Sequence, residues 1–393
     1  MKEVVIVSAV RTAIGNFQGG LSGFSATELG ALAIEEAIKR AGVQKEQVDE
    51  VIMGNVVPIG LGQNPARQAM IKAGLPMEGG AITVNKVCGS GLKTVMLADQ
   101  AIKCGDADII AAGGMESMSN IPHYLQGARD GFRLGNTELV DGMVHDGLWD
   151  VVNDYHMGYT ADLVAEKFSV TRQEMDEFSV LSNDKAIAAH EGGNFKAEIM
   201  PITIQPRKGD AFTFDRDEGP RKATLEKLAT LKSAFSKSGR VTAGNASKIS
   251  DGASCVVVMS REKADQLGLK PLARIIAQGA AGIELPDVLV APIKSIPKVL
   301  KKAGLNLNDI GLHEINEAFA ASTIAIIKEL AIDPARVNIH GGAVAVGHPI
   351  GCSGARVLTT LLYALKEKNE KYGMASLCLG GAESVSMIIE NLT

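Results

Sequence analysis

A disulfide framework, a membrane span and a basic net charge are all missing from this 393-residue chain, and each absence removes a class of function. The five cysteines, Cys88, Cys104, Cys255, Cys352 and Cys378, are odd in number, widely spaced and without a C-x-x-C pair. That pattern disfavours a disulfide scaffold or a structural zinc site and fits a reducing compartment. No uninterrupted apolar stretch reaches the ~20 residues that a membrane helix needs. The opening M-K-E-V-V-I-V-S-A-V is cut short by Arg11, too soon for a secretion leader. A net charge of −5 argues against a general nucleic-acid binder. No Gly/Ser repeat accompanies the 43 glycines, so they point to tight turns and close backbone packing. Hydrophobic residues make up 46% and charged residues 22%, which is too apolar for disorder. The expectation is a soluble cytoplasmic protein without nucleic-acid or membrane partners, long enough for several domains or one duplicated one.

What the chain does have is concentrated in V-N-K-V-C-G-S-G-L-K, residues 84–93. A buried extended run (Ala81, Ile82, Val84, Val87) leads to Cys88 and a small-residue turn. Leu92, Val95, Met96, Ala98, Ala101 and Ile102 then recur on one helical face. A thiol at a helix N-terminus meets free N–H groups and a positive dipole end, which favour the nucleophilic thiolate. The glycines let a substrate carbonyl approach the backbone. A buried structural cysteine before a helix has the same pattern.

Strand-like runs at 4–10, 48–57 and 106–117 and a helical run at 27–41, stopped by Gly42, alternate as in a sheet covered by helices. The plan then returns. L-A-R-I-I-A-Q-G-A (272–280) resembles the opening strand, and A-G-L-N-L-N-D-I-G-L (303–312) repeats the turn at 41–50 with an offset of 262 residues. G-C-S-G at 351–354 parallels C-G-S-G at 88–91, and A-S-L-C-L-G-G-A-E-S (375–384) parallels the strand ending G-G-M-E-S. Two copies of one βαβ-rich half are expected to place their strand ends around a shared crevice, where ligands bind in such sheets. The expected divisions are 1–118 with 250–270, an inserted segment at 119–249, and 271–393. Within the insert, residues 205–240 hold nine Lys/Arg against five Asp/Glu, a basic island that suggests an anionic ligand. A solvated face with helical ion pairs explains it equally.

Three further stretches carry chemistry-bearing residues. In H-E-I-N-E-A-F-A (313–320), Asn316 either caps the next helix or holds a water or substrate oxygen. In G-G-A-V-A-V-G-H-P-I-G-C-S-G-A-R (341–356), His348 sits between Gly347 and Pro349, where no regular element can run. That setting suits a base for a cysteine, or a structural histidine. Cys378 ends a strand before Gly380-Gly381 and, by the repeat, faces the same crevice as Cys88. Two cysteines and a histidine there suit a nucleophile and acid/base groups. As zinc ligands they form only a weak pattern, and no metal site is expected.

With these residues in view, the whole chain resembles the thiolases, and among them the short-chain acetyl-CoA acetyltransferases. The resemblance rests on S-A-V-R-T-A-I-G (8–15), G-Q-N-P-A-R-Q (62–68), V-N-K-V-C-G-S-G-L-K, G-G-M-E-S-M-S (113–119), D-G-L-W-D (146–150), D-Y-H-M-G (154–158), V-T-A-G-N-A-S (241–247), N-E-A-F-A (316–320), G-H-P-I-G (347–351) and C-L-G-G (378–381). It implies an α/β fold of duplicated βαβ halves in five layers, α-β-α-β-α, with an inserted loop domain that binds coenzyme A. It implies a homotetramer built as a dimer of dimers, acting in fatty acid metabolism. The implied reaction is ping-pong Claisen condensation and thiolysis, interconverting two acetyl-CoA with acetoacetyl-CoA and CoA. Coenzyme A and acyl-CoA are substrates there, and no cofactor is bound permanently.

By position, Cys88 resembles the residue that takes up the acyl group, His348 the base that activates it, and Cys378 the acid/base at the α-carbon. His348 and an Asn316-held water match one oxyanion site, and the N–H groups of Cys88 and Gly380 match the other. Arg221 and Lys222 match the basic part of the coenzyme-binding loop. Phe235, Ala243, Gly244 and Ser247 match the pantetheine tunnel, with Leu148 and His156 in the same set. Met157 and Phe319 resemble residues that close a small acyl pocket. Three places depart from the family's pattern: Ala382 and Glu383 replace small positions after Cys378, V-L-V-A-P (288–292) replaces M-G-x-G-P, and Lys248 follows N-A-S. The alternatives are a broader 3-ketoacyl-CoA thiolase, a decarboxylating condensing enzyme, which leaves Cys378 without a task, and a non-catalytic thiolase-shaped scaffold.

Overall fold

The computed structural model describes residues 2–206 and 209–393, so Arg207 and Lys208 of the basic island lie outside the described residues. The first half runs β1 (Val4–Thr12), α1 (Ala26–Ala41), β2 (Glu50–Gly54), α2 (Pro65–Lys72), β3 (Gly80–Val84), α3 (Ser90–Cys104) and β4 (Ile109–Ser117). The insert contributes α4 (Met157–Lys167) and α5 (Arg172–Gly192) before the chain returns as β5 (Ser250–Ser260). The second half runs β6 (Ala273–Gly282), α6 (Pro292–Ala303), β7 (Leu312–Ile315), α7 (Ala320–Leu330), α8 (Ser353–Lys368), β8 (Tyr372–Leu379) and β9 (Glu383–Asn391). Local signals account for the helix ends. A Ser25–Glu28 capping box opens α1, and left-handed glycines close α1 at Gly42 and α6 at Gly304, one repeat offset apart.

The repeat is visible in the hydrogen-bond ladders. In the first sheet β1 pairs antiparallel with β5, β5 antiparallel with β4, and β4 parallel with β2. In the second, β6 pairs antiparallel with β9, β9 antiparallel with β8, and β8 parallel with β7. Both opening strands carry a register shift, between Ile6 and Ser8 and between Ile275 and Ala277. The two sheets meet where Val5 and Ile6 pair with Arg274 and Ala273, so the strands follow one path, β7-β8-β9-β6-β1-β5-β4-β2-β3.

Three cores define the five layers. Helices α1 and α2 cover the outer face of the first sheet through Leu29, Ile34 and Met70. Helices α6 and α7 cover the outer face of the second through Ile296, Val299 and Ile326. Between the sheets lie α3 and α8, packing Leu92, Val95, Leu358 and Leu361 against strands of both. The two central helices cross backbone to backbone. A methyl at Gly91 would lie 2.7 Å from the N of Ala355, and one at Gly354 would run into the N of Leu92. This explains why C-G-S-G recurs as G-C-S-G: each small residue makes room for the opposite helix start.

One expectation needs correction. The segment leading to Cys88 is not buried, because β3 is an end strand with a single neighbour, and Ile82 is 45% exposed. No helix among the described residues is long and apolar enough to cross a membrane.

Candidate active site

Cys88 follows β3 by four residues and precedes α3. The turn is forced into an unusual shape, with Val87 at φ 45°. A β-branched residue in the left-handed region is strained by about 1–3 kcal/mol and persists only where neighbours hold it. Here Asn85 Oδ1 accepts the Val87 N–H at 3.0 Å and Ser90 Oγ donates to the Val87 carbonyl at 2.7 Å. The outcome is a sulfur whose thiolate is favoured by two backbone N–H groups, its own and that of Gly380.

The second thiol arrives on the other half. Cys378 is the penultimate residue of β8, 3% exposed, and the turn Gly380-Gly381-Ala382 follows it to β9. His348 lies in the loop between a single helical turn (Ala343–Val346) and α8. Its Nδ1 is 2.6 Å from Ser353 Oγ, which itself donates to the Pro349 carbonyl at 2.9 Å. Asn316 Nδ2 donates toward His348 Nε2 at 3.4 Å. This chain of donors assigns the ring proton to Nδ1 and leaves Nε2 as the acceptor. Asn316 does not cap α7, whose N-cap is Phe319. Its Oδ1 is buried without a protein partner among the described residues, so it is available to a water or a substrate donor.

One cavity of about 230 Å³ is lined by Cys88, Cys378, His348 and Gly380 together with Leu148, His156, Met157, Ser247 and Phe319. An outer cavity of about 610 Å³ continues it, sharing Leu148, His156, Ser247, Phe319, His348 and Ile350 and adding Arg221, Phe235 and Ala243. His156 caps α4 and stacks on Phe235 at 4.7 Å, and Phe319 meets Phe235 edge-on at 6.3 Å. Three residues fall away from this set: Asn316 lines neither cavity and reaches the site only through His348 Nε2. Lys222 is exposed and lines neither cavity, and Gly244 packs beneath, facing Leu228 and Leu231. Of the V-L-V-A-P departure, Leu289 reaches the inner cavity while Val288 is 1% exposed in the core behind it.

Electrostatics follow from dryness. Burial pushes the Cys88 thiol up to about 11 against the two backbone donors, so the helix-terminus effect expected from sequence is outweighed. Burial drives Cys378 higher still, with the Cys88 sulfur adding to the effect. Burial, then Arg356, pulls His348 down to about 3, leaving a neutral imidazole at neutral pH. The resting site is therefore uncharged: two thiols and a neutral base, poised for proton transfer when substrate arrives. Glu383 does not tune Cys378; its carboxylate pairs with Lys86, tying the β8–β9 turn to the Cys88 turn. Among the described residues no group of three His, Cys, Asp or Glu is placed to hold a metal ion.

Sequence alone missed the strain at Val87, Ser353 behind His348, and Leu289 in the acyl wall. The available signals are the S-G after Cys352, which also serves the repeat, and the V-L-V-A-P departure, which contains Leu289.

Comparison with known proteins agrees with this geometry. Residues 4–262 match the thiolase N-terminal domain and residues 269–391 the thiolase C-terminal domain. The chain is 53% identical to an acetyl-CoA acetyltransferase of Pseudomonas aeruginosa over 390 residues, covering 99% of both proteins. It is also 53% identical to one of Cupriavidus necator, covering 99% of this chain and all of that one. The crystal structure of the Bacillus anthracis acetyl-CoA acetyltransferase superposes with a TM-score of 0.98 at 42% identity, covering 100% of this chain and 99% of that one. From its duplicated sheets to its paired cysteines, the chain belongs to the thiolase family.

Proposed function

We propose that this chain is an acetyl-CoA C-acetyltransferase that interconverts two acetyl-CoA with acetoacetyl-CoA and CoA. The observation that carries the proposal is the convergence of Cys88, His348 and Cys378 on one small cavity that opens into a wider channel bearing Arg221. In thiolysis, Cys88 Sγ attacks the ketone carbon of acetoacetyl-CoA while its proton passes to His348 Nε2. The carbon–carbon bond breaks, the electron pair leaves as the enolate of acetyl-CoA, and Cys378 protonates it. Coenzyme A then gives its thiol proton to the Cys378 thiolate and takes the acetyl group as the second acetyl-CoA, while the leaving Cys88 sulfur regains its proton from His348. Condensation runs the same steps backwards.

Preset donors do most of the work on the developing oxyanions, each removed donor costing about 10²–10³ in rate in comparable sites. The N–H groups of Cys88 and Gly380 serve one oxyanion, and His348, once its Nε2 holds the Cys88 proton, serves the other with an Asn316-held water. Leu148, His156, Phe235, Ala243 and Ser247 would line the pantetheine arm, with Arg221 toward its phosphates. Coenzyme A passes through as substrate rather than staying as a cofactor.

Met157, Phe319 and Leu289 enclose the acyl end, which supports the short-chain reading. Thiolysis of acetoacetyl-CoA measured beside longer 3-ketoacyl-CoA substrates tests it. A higher kcat/KM for the four-carbon substrate is expected, and faster turnover of longer chains would replace it with the broader reading. The reading carries with it a cytoplasmic homotetramer. Exposed Ile82 on the open edge of β3 and exposed Leu134 and Leu139 in the insert offer apolar surface for subunit contacts; light scattering measures the assembly directly.

A further inference from the structure

The reaction needs His348 held between Cys88 and Asn316, yet no regular element carries it. After the single turn Ala343–Val346 the chain runs through Gly347, with φ 114°, to Pro349 and on to α8. Two buried carboxylates grip this loop from opposite sides of the histidine. Four residues before it, Val344 N–H donates to Glu317 Oε2 at 3.1 Å. Three residues after it, Gly351 N–H donates to Glu116 Oε2 at 2.9 Å.

Each carboxylate is anchored elsewhere by further donors. Glu317 also accepts Ser182 Oγ from α5 at 2.8 Å and Asn338 Nδ2 at 2.9 Å. Ser182 Oγ in turn accepts the Gly342 N–H at 3.1 Å. Glu116 also accepts Asn55 Nδ2 at 2.6 Å and the N–H groups of Val56 and Val57 at 2.9 and 3.2 Å. Both side chains are 1% exposed, and neither lines the inner or outer cavity. The fit leaves no slack: a methyl at Gly351 would lie 2.6 Å from Glu116 Oε2, and one at Gly342 would run into the Glu317 carboxylate.

The two anchors come from different halves. Glu116 is in β4 of the first, beside the loop after β2; Glu317 follows Asn316 in the second. We infer that Glu116 and Glu317 are a pair of positioning residues that hold His348 in register with Cys88 and Asn316. They touch no substrate; they act through the His348 loop. The inference rests on the proposed role of His348 as proton acceptor. Burying two carboxylates is unfavourable unless their lone pairs are filled, and here seven donors fill them. The shift of a catalytic group by about 1 Å costs about 10²-fold in rate, so a slackened loop shows in kcat.

The test compares Glu116→Gln, Glu317→Gln, Ser182→Ala and His348→Ala in acetoacetyl-CoA thiolysis and in the single-turnover acetylation of Cys88. Glutamine keeps the shape of each anchor but turns one acceptor into a donor facing N–H groups. Each Gln variant is expected to lower kcat and the acetylation rate about 10- to 100-fold with KM within about twofold, and Ser182→Ala about three- to tenfold. Folded Gln variants with kcat within twofold of wild type, or with the loss confined to KM, would overturn the inference. If neither Gln variant folds, Ser182→Ala decides by the same criterion. Wild-type acetylation in His348→Ala would instead overturn the reading of His348 itself, and the clamp with it.

Discussion

The backbone N–H of Gly380 favours the thiolate of Cys88, so the thiol of one half is served by the hairpin turn of the other. Gly380 has little room beside it: a methyl there would sit 3.1 Å from Val87 Cγ1. Gly380→Ala should therefore push the turn and the Cys88 loop apart. Steady-state thiolysis is expected to show kcat reduced about 10- to 100-fold, consistent with a displaced oxyanion donor. An unchanged kcat would remove Gly380 from the site.

Val87 stores backbone strain directly before the nucleophile. Val87→Gly relieves about 1–2 kcal/mol of left-handed strain but loses side-chain packing and frees the unfolded chain. The melting temperature is expected to stay near that of wild type while kcat falls about tenfold, because the sulfur is no longer held. Full activity in Val87→Gly would show that the strain serves folding alone.

Much of this architecture was legible in the chain. The offset repeat, the helix stops at Gly42 and Gly304 and the recurrent C-G-S-G and G-C-S-G turns all report local backbone demands, which sequence records well. Cys88 and His348 stood out because each sits beside glycine or proline, and Cys378 because it ends a patterned run two residues before a glycine pair. Less legible were several features set by distant neighbours. The open edge of β3 depends on which strands lie beside it, and apolar alternation cannot count neighbours. The direction of the Cys88 shift depends on how Leu148, Ile350 and Leu379, far apart in the chain, enclose one cavity. Glu383 looked like a neighbour of Cys378 and instead reaches Lys86 across the interface between halves.

The pH dependence of stability has a traceable sign. Burial, then Arg336, lowers His313 to about 4. Between its ordinary value near 6.5 and about 4, the unfolded chain binds a proton that the folded one does not, so stability is lost as pH falls. Buried Glu116 and Glu314, raised to about 7 and about 8 chiefly by burial, oppose this, since their contribution is lost as pH rises. The difference between wild type and His313→Asn isolates the histidine. Thermal melts from pH 6.5 to 4.5 should converge as pH falls; parallel curves would contradict the buried neutral His313.

Arg221 lines the outer cavity, whereas Lys222 does not. Arg221→Ala is expected to raise KM for coenzyme A about three- to tenfold with kcat unchanged, and more strongly at low salt, as loss of uniform phosphate binding requires. Lys222→Ala should do less. Equal effects of the two would mean that diffuse charge, not a defined contact, attracts the ligand.

The proposed reaction depends most on the acyl group resting on one particular sulfur. Incubation with acetyl-CoA, rapid acid quench and mass spectrometry of the peptides measure this directly. An acetyl group on the peptide containing Cys88, absent in Cys88→Ala, is the result the account predicts; acetylation at Cys378 with Cys88 left bare, or turnover by Cys88→Ala at the wild-type rate, would contradict it.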